Sequence, residues 1–211
     1  GRASPHSVWL DVAQREKIIL LVPEGVVSPD GKLGWNDCRT DGGSTPSTND
    51  VGLITALLDG VSSSYPVDPN RVYATGTSNG GHLAFRLGIE AGDRFAAVAP
   101  VVASMPVNSE CGDPDRSVAL MLMNGTADTI MPYDGGVVAN GRGEVLSTLD
   151  TVRVWLESNQ NRATASVETL PDIDPADGST IVTTSYLGET RLQDVVLVTM
   201  QDAGHTEPSI A

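Results

Sequence analysis

Apolar residues in this chain fall in short runs divided by long polar stretches, and the runs carry two different periods. Residues 18–22, Ile-Ile-Leu-Leu-Val, are wholly apolar and end at Pro23, the pattern of a parallel strand buried on both faces. From Val51 the apolar positions Leu53, Ile54, Leu57, Leu58 and Val61 lie on one face of a helix, with Asp50 as its N-cap. The turn 65–70 follows, then a strand over 71–77 and a helix over 79–90 whose apolar surface comes from Leu83, Phe85, Leu87 and Ile89. Residues 95–102 and 117–123 read as further buried strands, and 146–156 as a helix with Val152 and Trp155 or Leu156 inward. Residues 167–170 and 181–186 form either a hairpin or successive strands, and 195–200 is the last strong strand.

Strands alternating with helices predict an α/β fold with a mostly parallel sheet covered by helices on both faces. In such a sheet, functional loops gather at the carboxyl ends of the strands. A chain of 211 residues with 40% hydrophobic content suits one domain, 1–211. No repeat of 20 to 50 residues recurs, and the glycines and prolines punctuate apolar runs rather than forming a low-complexity tract. The polar stretch 24–49 is long for a loop in a compact domain, which predicts that it shapes the mouth of a site.

Charge narrows the range of partners. The net charge is −14 and lysine occurs only at Lys17 and Lys32, which disfavours nucleic acid and anionic membrane surfaces as partners. No apolar run reaches the roughly 20 residues needed to cross a bilayer, and the first residues carry no signal-peptide pattern. Cys38 and Cys111 sit in loop-like segments with no second Cys or close His to make a zinc site, so a disulfide is favoured over two free thiols. Asp172, Asp174 and Asp177-Gly178 imitate a calcium loop, but the glycine comes one place late and no glutamate closes it; a polar turn is the reading, and no metal or cofactor is assigned.

The chemistry begins at Gly76-Thr77-Ser78-Asn79-Gly80. This is G-x-S-x-G between a predicted strand and a predicted helix, the context of a nucleophile elbow. The sharp turn lifts the Ser78 hydroxyl above the sheet and crowds the backbone, so side chains at Gly76 and Gly80 are expected to clash, with Gly81 extending the tolerance. The N–H of Asn79, at the helix start, is placed to meet a developing oxyanion. A serine needs a base, and the histidines are His6, His82 and His205. His82 lies one helical turn below Ser78 and reads as a packed or partly exposed helix residue, and His6 has no strand end to hold it. His205 follows the strand 195–200 through a short loop and is the favoured base. In the chain order Ser, acid, His, the acid is Asp128, at the end of the strand 117–123, with Asp134 as its rival. Trp35 and Tyr133 stand in loops near the expected mouth, either stacking on an aromatic acyl group or sugar, or anchoring their loops.

Taken with the elbow, several segments carry a resemblance over nearly the whole chain. They are residues 10–16, 65–73, 76–81, 93–100 and 124–128 continuing to Pro132-Tyr133. With these, the chain resembles the polyhydroxybutyrate depolymerase and feruloyl esterase group of α/β-hydrolases, also met as carbohydrate esterase family 1. The resemblance implies an α/β-hydrolase with Ser78, Asp128 and His205 as its triad, secreted by a bacterium and acting on plant-wall esters or polyesters, small or polymeric. Relatives begin with a strand and a His-Gly loop that donates a second oxyanion N–H; this chain starts at or just beyond that loop, with Gly1 to Ser4 as its remnant, and lacks the first strands and the last helix. It also carries Glu207 where relatives commonly have an aromatic residue. A peptidase or acyltransferase on the same fold, and a binding protein on a hydrolase scaffold, are the competing expectations.

Overall fold

A computed structural model of the chain describes residues 5–42 and 46–207. Its centre is a six-stranded sheet in the order β3-β4-β5-β10-β9-β8. The first four are β3 (Tyr73–Thr77), β4 (Ala97–Val101), β5 (Ala119–Gly125) and β10 (Val195–Gln201), all mutually parallel. The edge is an antiparallel pair, β8 (Ser166–Thr169) and β9 (Thr180–Tyr186), with β9 antiparallel to β10. Of the two readings open for residues 167–186, the hairpin is the one observed. Two small two-stranded ribbons, β1 (Val26–Val27) with β2 (Leu33–Gly34) and β6 (Gly136–Val137) with β7 (Glu144–Val145), stand outside this sheet.

Among the described residues, four α-helices accompany the strands: α1 (Pro5–Glu16), α2 (Asp50–Ser64), α3 (Asn79–Glu90) and α4 (Thr148–Ser158). Ile54 of α2, Leu83, Phe85 and Leu87 of α3, and Val152 and Trp155 of α4 form one buried cluster with Val98, Leu120, Leu122, Val195 and Leu197 of the sheet. The Phe85 and Trp155 rings lie 5.6 Å apart and tilted, an arrangement that aromatic quadrupoles favour. The Trp155 indole N–H donates to Val118 O at 2.7 Å, so the buried ring keeps its polar end satisfied.

The mostly parallel α/β architecture is as expected, and two local readings need correction. The cluster residues of α2, α3 and α4 pack with Val98, Leu120, Leu122, Val195 and Leu197 of the sheet, while Tyr73 and Met121 are exposed. Residues 18–22 are extended but form no strand, and Ile19 and Val22 are 52% and 54% exposed. The segment pairs with no neighbour among the described residues, and an apolar run becomes a buried strand only where a ladder partner receives it. The cap of α2 is Asn49, which accepts from the Gly52 N–H at 2.9 Å. Asp50 turns inward and accepts from the Asn36 N–H at 2.6 Å.

Candidate active site

β3 runs into α3 through Ser78 alone, at φ 56° and ψ −116°. A non-glycine residue at positive φ is strained, and here the neighbours hold it: the Ser78 N–H donates to Val101 O at 2.9 Å, and its carbonyl accepts from His82 N at 3.0 Å. A Cβ on Gly76 would collide with Gly80 O, and one on Gly81 would meet the Ala103 methyl at 2.8 Å. The expected clash at Gly80 is absent, since a Cβ there points into open space; the crowding falls on Gly76 and Gly81 instead. The Asn79 N–H heads α3 and has no acceptor among the described residues.

The loops after β5 and β10 are stapled together. Ala127 N–H donates to Ala203 O at 3.0 Å, Asp202 N–H to Thr126 Oγ1 at 2.9 Å, and Thr126 N–H to Met200 O at 3.0 Å. Gly125 permits this approach, because a Cβ there would collide with Ala203 O. The result is a 2.7 Å contact between His205 Nδ1 and Asp128 Oδ2. Asp128 is buried, and its other oxygen accepts from the N–H groups of Ile130 and Met131, each at 2.8 Å. A carboxylate held by two backbone donors cannot turn away from the imidazole without losing both. The rival acid, Asp134, is exposed and has no bond to His205.

Next to Ser78, the Thr77 hydroxyl donates to a carboxylate oxygen of Glu207, two residues beyond His205. No hydrogen bond joins Ser78 to His205 among the described residues.

Beneath the elbow lies a polar network that sequence reasoning missed. Asn79 Nδ2 donates to Trp35 O at 3.0 Å and to Asp37 Oδ2 at 2.6 Å, while the Trp35 N–H donates to Asn79 Oδ1 at 2.7 Å. Asp37 and Arg39 form a buried ion pair, Nη2 to Oδ2 at 2.5 Å, and Arg39 Nη1 donates to Arg142 O at 2.7 Å. Between these two residues sits Cys38, disulfide-bonded to Cys111 with a Cα separation of 5.4 Å. The only signal in the sequence was the density of polar residues in the stretch 24–49, which is too general to name partners.

His82 is fully buried, and neither ring nitrogen has a hydrogen-bond partner among the described residues. Burial first, and then the charge of Arg39, lowers its pKa to about 4, so the ring is neutral at ordinary pH. The side chain of His6 and residues Gly1 to Ser4 lie outside the described residues. Trp35 packs against the core, and the Tyr133 hydroxyl shares a 3.0 Å hydrogen bond with Thr199 Oγ1; neither is among the residues that line the cavity beside Ser78.

That cavity is lined by Ser78 and Asn79 from the elbow, by Lys32 and Leu33 from the 24–49 stretch, and by Ile130 and Arg142 among others. Among the described residues, the cluster of metal-ligating types is Cys38, Glu90 and Cys111, and its sulfurs are in the disulfide. Asp172, Asp174 and Asp177 accept from backbone N–H groups two residues on, the bonds of local turns.

No protein-family model matches the chain. It is 29% identical over 213 residues to the putative esterase NocK of Nocardia uniformis subsp. tsuyamanensis, covering 96% of this chain and 60% of that protein. It is 33% identical over 131 residues to probable feruloyl esterase C of Aspergillus niger, covering 61% and 43%. Over 95 residues it is 34% identical to the poly(3-hydroxybutyrate) depolymerase of Ralstonia pickettii, covering 43% and 18%. The chain thus spans less than two thirds of the length of each. Among solved structures, a single-residue variant of Arabidopsis thaliana SOBER1 aligns with 97% of this chain and 84% of its own, at a TM-score of 0.50 and 13% identity, a likeness of fold.

Proposed function

We propose that this chain, a relative of the esterase, feruloyl esterase and poly(3-hydroxybutyrate) depolymerase group of α/β-hydrolases, is a serine carboxylic-ester hydrolase with Ser78, His205 and Asp128 as its triad. The observation that carries this reading is the buried Asp128 carboxylate on His205 Nδ1, taken with a serine held at positive φ on a strand-to-helix turn.

Asp128 fixes the imidazole so that its Nε2 is the nitrogen left for the serine. His205 takes the Ser78 proton as the hydroxyl attacks the ester carbonyl, and the imidazolium is stabilised by the adjacent carboxylate. The tetrahedral oxyanion meets the Asn79 N–H at the positive end of α3. Collapse expels the alcohol, which receives the proton from His205, and water activated by the same ring then releases the acid.

Feruloyl or acetyl esters of plant polysaccharide, and polyhydroxyalkanoate polyesters, are the substrate classes that the named relatives support. The disulfide supports an oxidising, extracytoplasmic setting. The shared core of sheet and helices supports one catalytic domain.

The test is turnover of p-nitrophenyl butyrate, methyl ferulate and a polyhydroxybutyrate emulsion by the native chain and by Ser78→Ala, with p-nitroanilide substrates alongside. Ester turnover abolished in Ser78→Ala sustains the reading. Turnover surviving the substitution, or amide cleavage exceeding ester cleavage, overturns it.

A further inference from the structure

The chain carries 27 acidic residues against 13 basic ones, yet the cavity beside Ser78 inverts that ratio. Lys32, Arg39 and Arg142 line it, against Asp30 alone of the acids. The pairing within the wall is uneven. Arg39 is matched by the buried Asp37 carboxylate, and Arg142 Nη2 is matched by Asp30 at 2.9 Å. Lys32 has no ion-pair partner among the described residues, although its own N–H donates to Asp30. The wall therefore holds one positive charge in excess, and Arg142 has further guanidinium donors beyond the Nη2 given to Asp30. Leu33, Ile130, Met131 and Val138 supply apolar surface to the same cavity that Ser78 and these cations line.

From this arrangement we propose that the cavity selects esters bearing a carboxylate a few carbons from the ester group. The anion faces Lys32 and Arg142, while the intervening methylenes lie on Leu33 and Ile130. A planar guanidinium and an ammonium lining one cavity suit a carboxylate, which takes a fork and a point charge together. Apolar walls without a cation would favour a neutral chain. A cation placed where the protein is otherwise acidic gives the site a sign of its own, because an interaction at contact distance is screened less than the long-range repulsion of the surface. Lys32 and Arg142 are specificity residues in this proposal, which rests on the ester-hydrolase reading above.

The experiment compares kcat/KM for monoethyl adipate and diethyl adipate, which differ by one charge, in the native chain, Lys32→Glu and Asp30→Asn. Native protein should prefer the monoanion. Lys32→Glu, a change of two charges at an exposed position, should lower the monoanion-to-diester ratio about tenfold, and Asp30→Asn, which frees Arg142, should raise it about threefold. A ratio in Lys32→Glu within about twofold of native overturns the proposal. Dissociation constants for both esters, measured by NMR titration of Ser78→Ala with and without Lys32→Glu, decide the same question without turnover. An equal preference with Lys or Glu at position 32 sinks the cavity proposal, whereas undiminished diester hydrolysis by Ser78→Ala sinks the hydrolase reading instead.

Discussion

The side-chain amide of Asn79 grips the backbone of Trp35 from both sides, accepting from its N–H at 2.7 Å and donating to its carbonyl at 3.0 Å. The residue whose N–H is proposed to meet the oxyanion is thereby also the clasp between the elbow and the 24–49 stretch. Asn79→Ala keeps that N–H but leaves the Trp35 groups without their partner and takes one donor from Asp37 Oδ2, which retains Arg39. Stability should fall by about 1–3 kcal/mol, and KM should rise more than kcat falls. Urea denaturation and ester kinetics on one preparation check both, and an unchanged KM would contradict the clasp.

Asp128→Asn should retain much of the loop geometry, since an amide oxygen can still accept from Ile130 and Met131. It cannot stabilise the imidazolium or hold the same tautomer, so kcat should drop by about 10³ to 10⁴ with near-native melting behaviour. The parallel substitution Asp134→Asn should leave kcat within about threefold, as an exposed residue without contact to His205.

Acid sensitivity should trace to His82. Its folded pKa, about 4, lies below the ordinary 6.5, so on acidification the unfolded chain takes up the proton first. Above pH 6.5 the ring is neutral in both folded and unfolded chains, so stability does not change with pH on its account. Stability is lost as pH falls from about 6.5 to about 4, by an amount on the order of 3 kcal/mol. His82→Met removes this linkage and two unpaired nitrogens. Urea midpoints at pH 7, 5.5 and 4.5 should therefore diverge between native chain and variant, and parallel profiles would refute the assignment.

The three elbow glycines should separate sharply. Gly76→Ala and Gly81→Ala push a methyl against Gly80 O and the Ala103 methyl, and should each cost about 3 kcal/mol or more. Gly80→Ala meets open space in the first turn of α3 and should be neutral or stabilising by up to about 1 kcal/mol. Thermal melts of the three variants rank them directly.

The Cys38–Cys111 bond spans 73 residues of sequence, for which loop-closure entropy gives about 4 kcal/mol. Because Cys38 lies between Asp37 and Arg39, reduction should also loosen the clasp on Asn79. Native protein in dithiothreitol should lose stability of that order and show a raised KM before it unfolds. The double substitution to serine should match the reduced protein in both.

What the sequence determined by itself were the features written in near neighbours. The G-x-S-x-G turn, the strands 95–102, 117–123 and 195–200, and the strand-end loops carrying Asp128 and His205 follow from local periodicity and from the crowding that permits only glycine at Gly76. Tertiary structure alone decided which segments find partners. Residues 18–22 have the composition of a buried strand but lie extended and exposed, because strand formation is conferred by a ladder neighbour and not by β-branched side chains. His82 has no feature in the sequence that foretells a fully buried, unpaired ring next to an ion pair. The Asn79 clasp joins residues 44 apart, and the Arg39 contact to Arg142 joins residues 103 apart. Polar contacts of that reach leave no period in the chain, since their geometry exists only once the sheet has set the loops side by side.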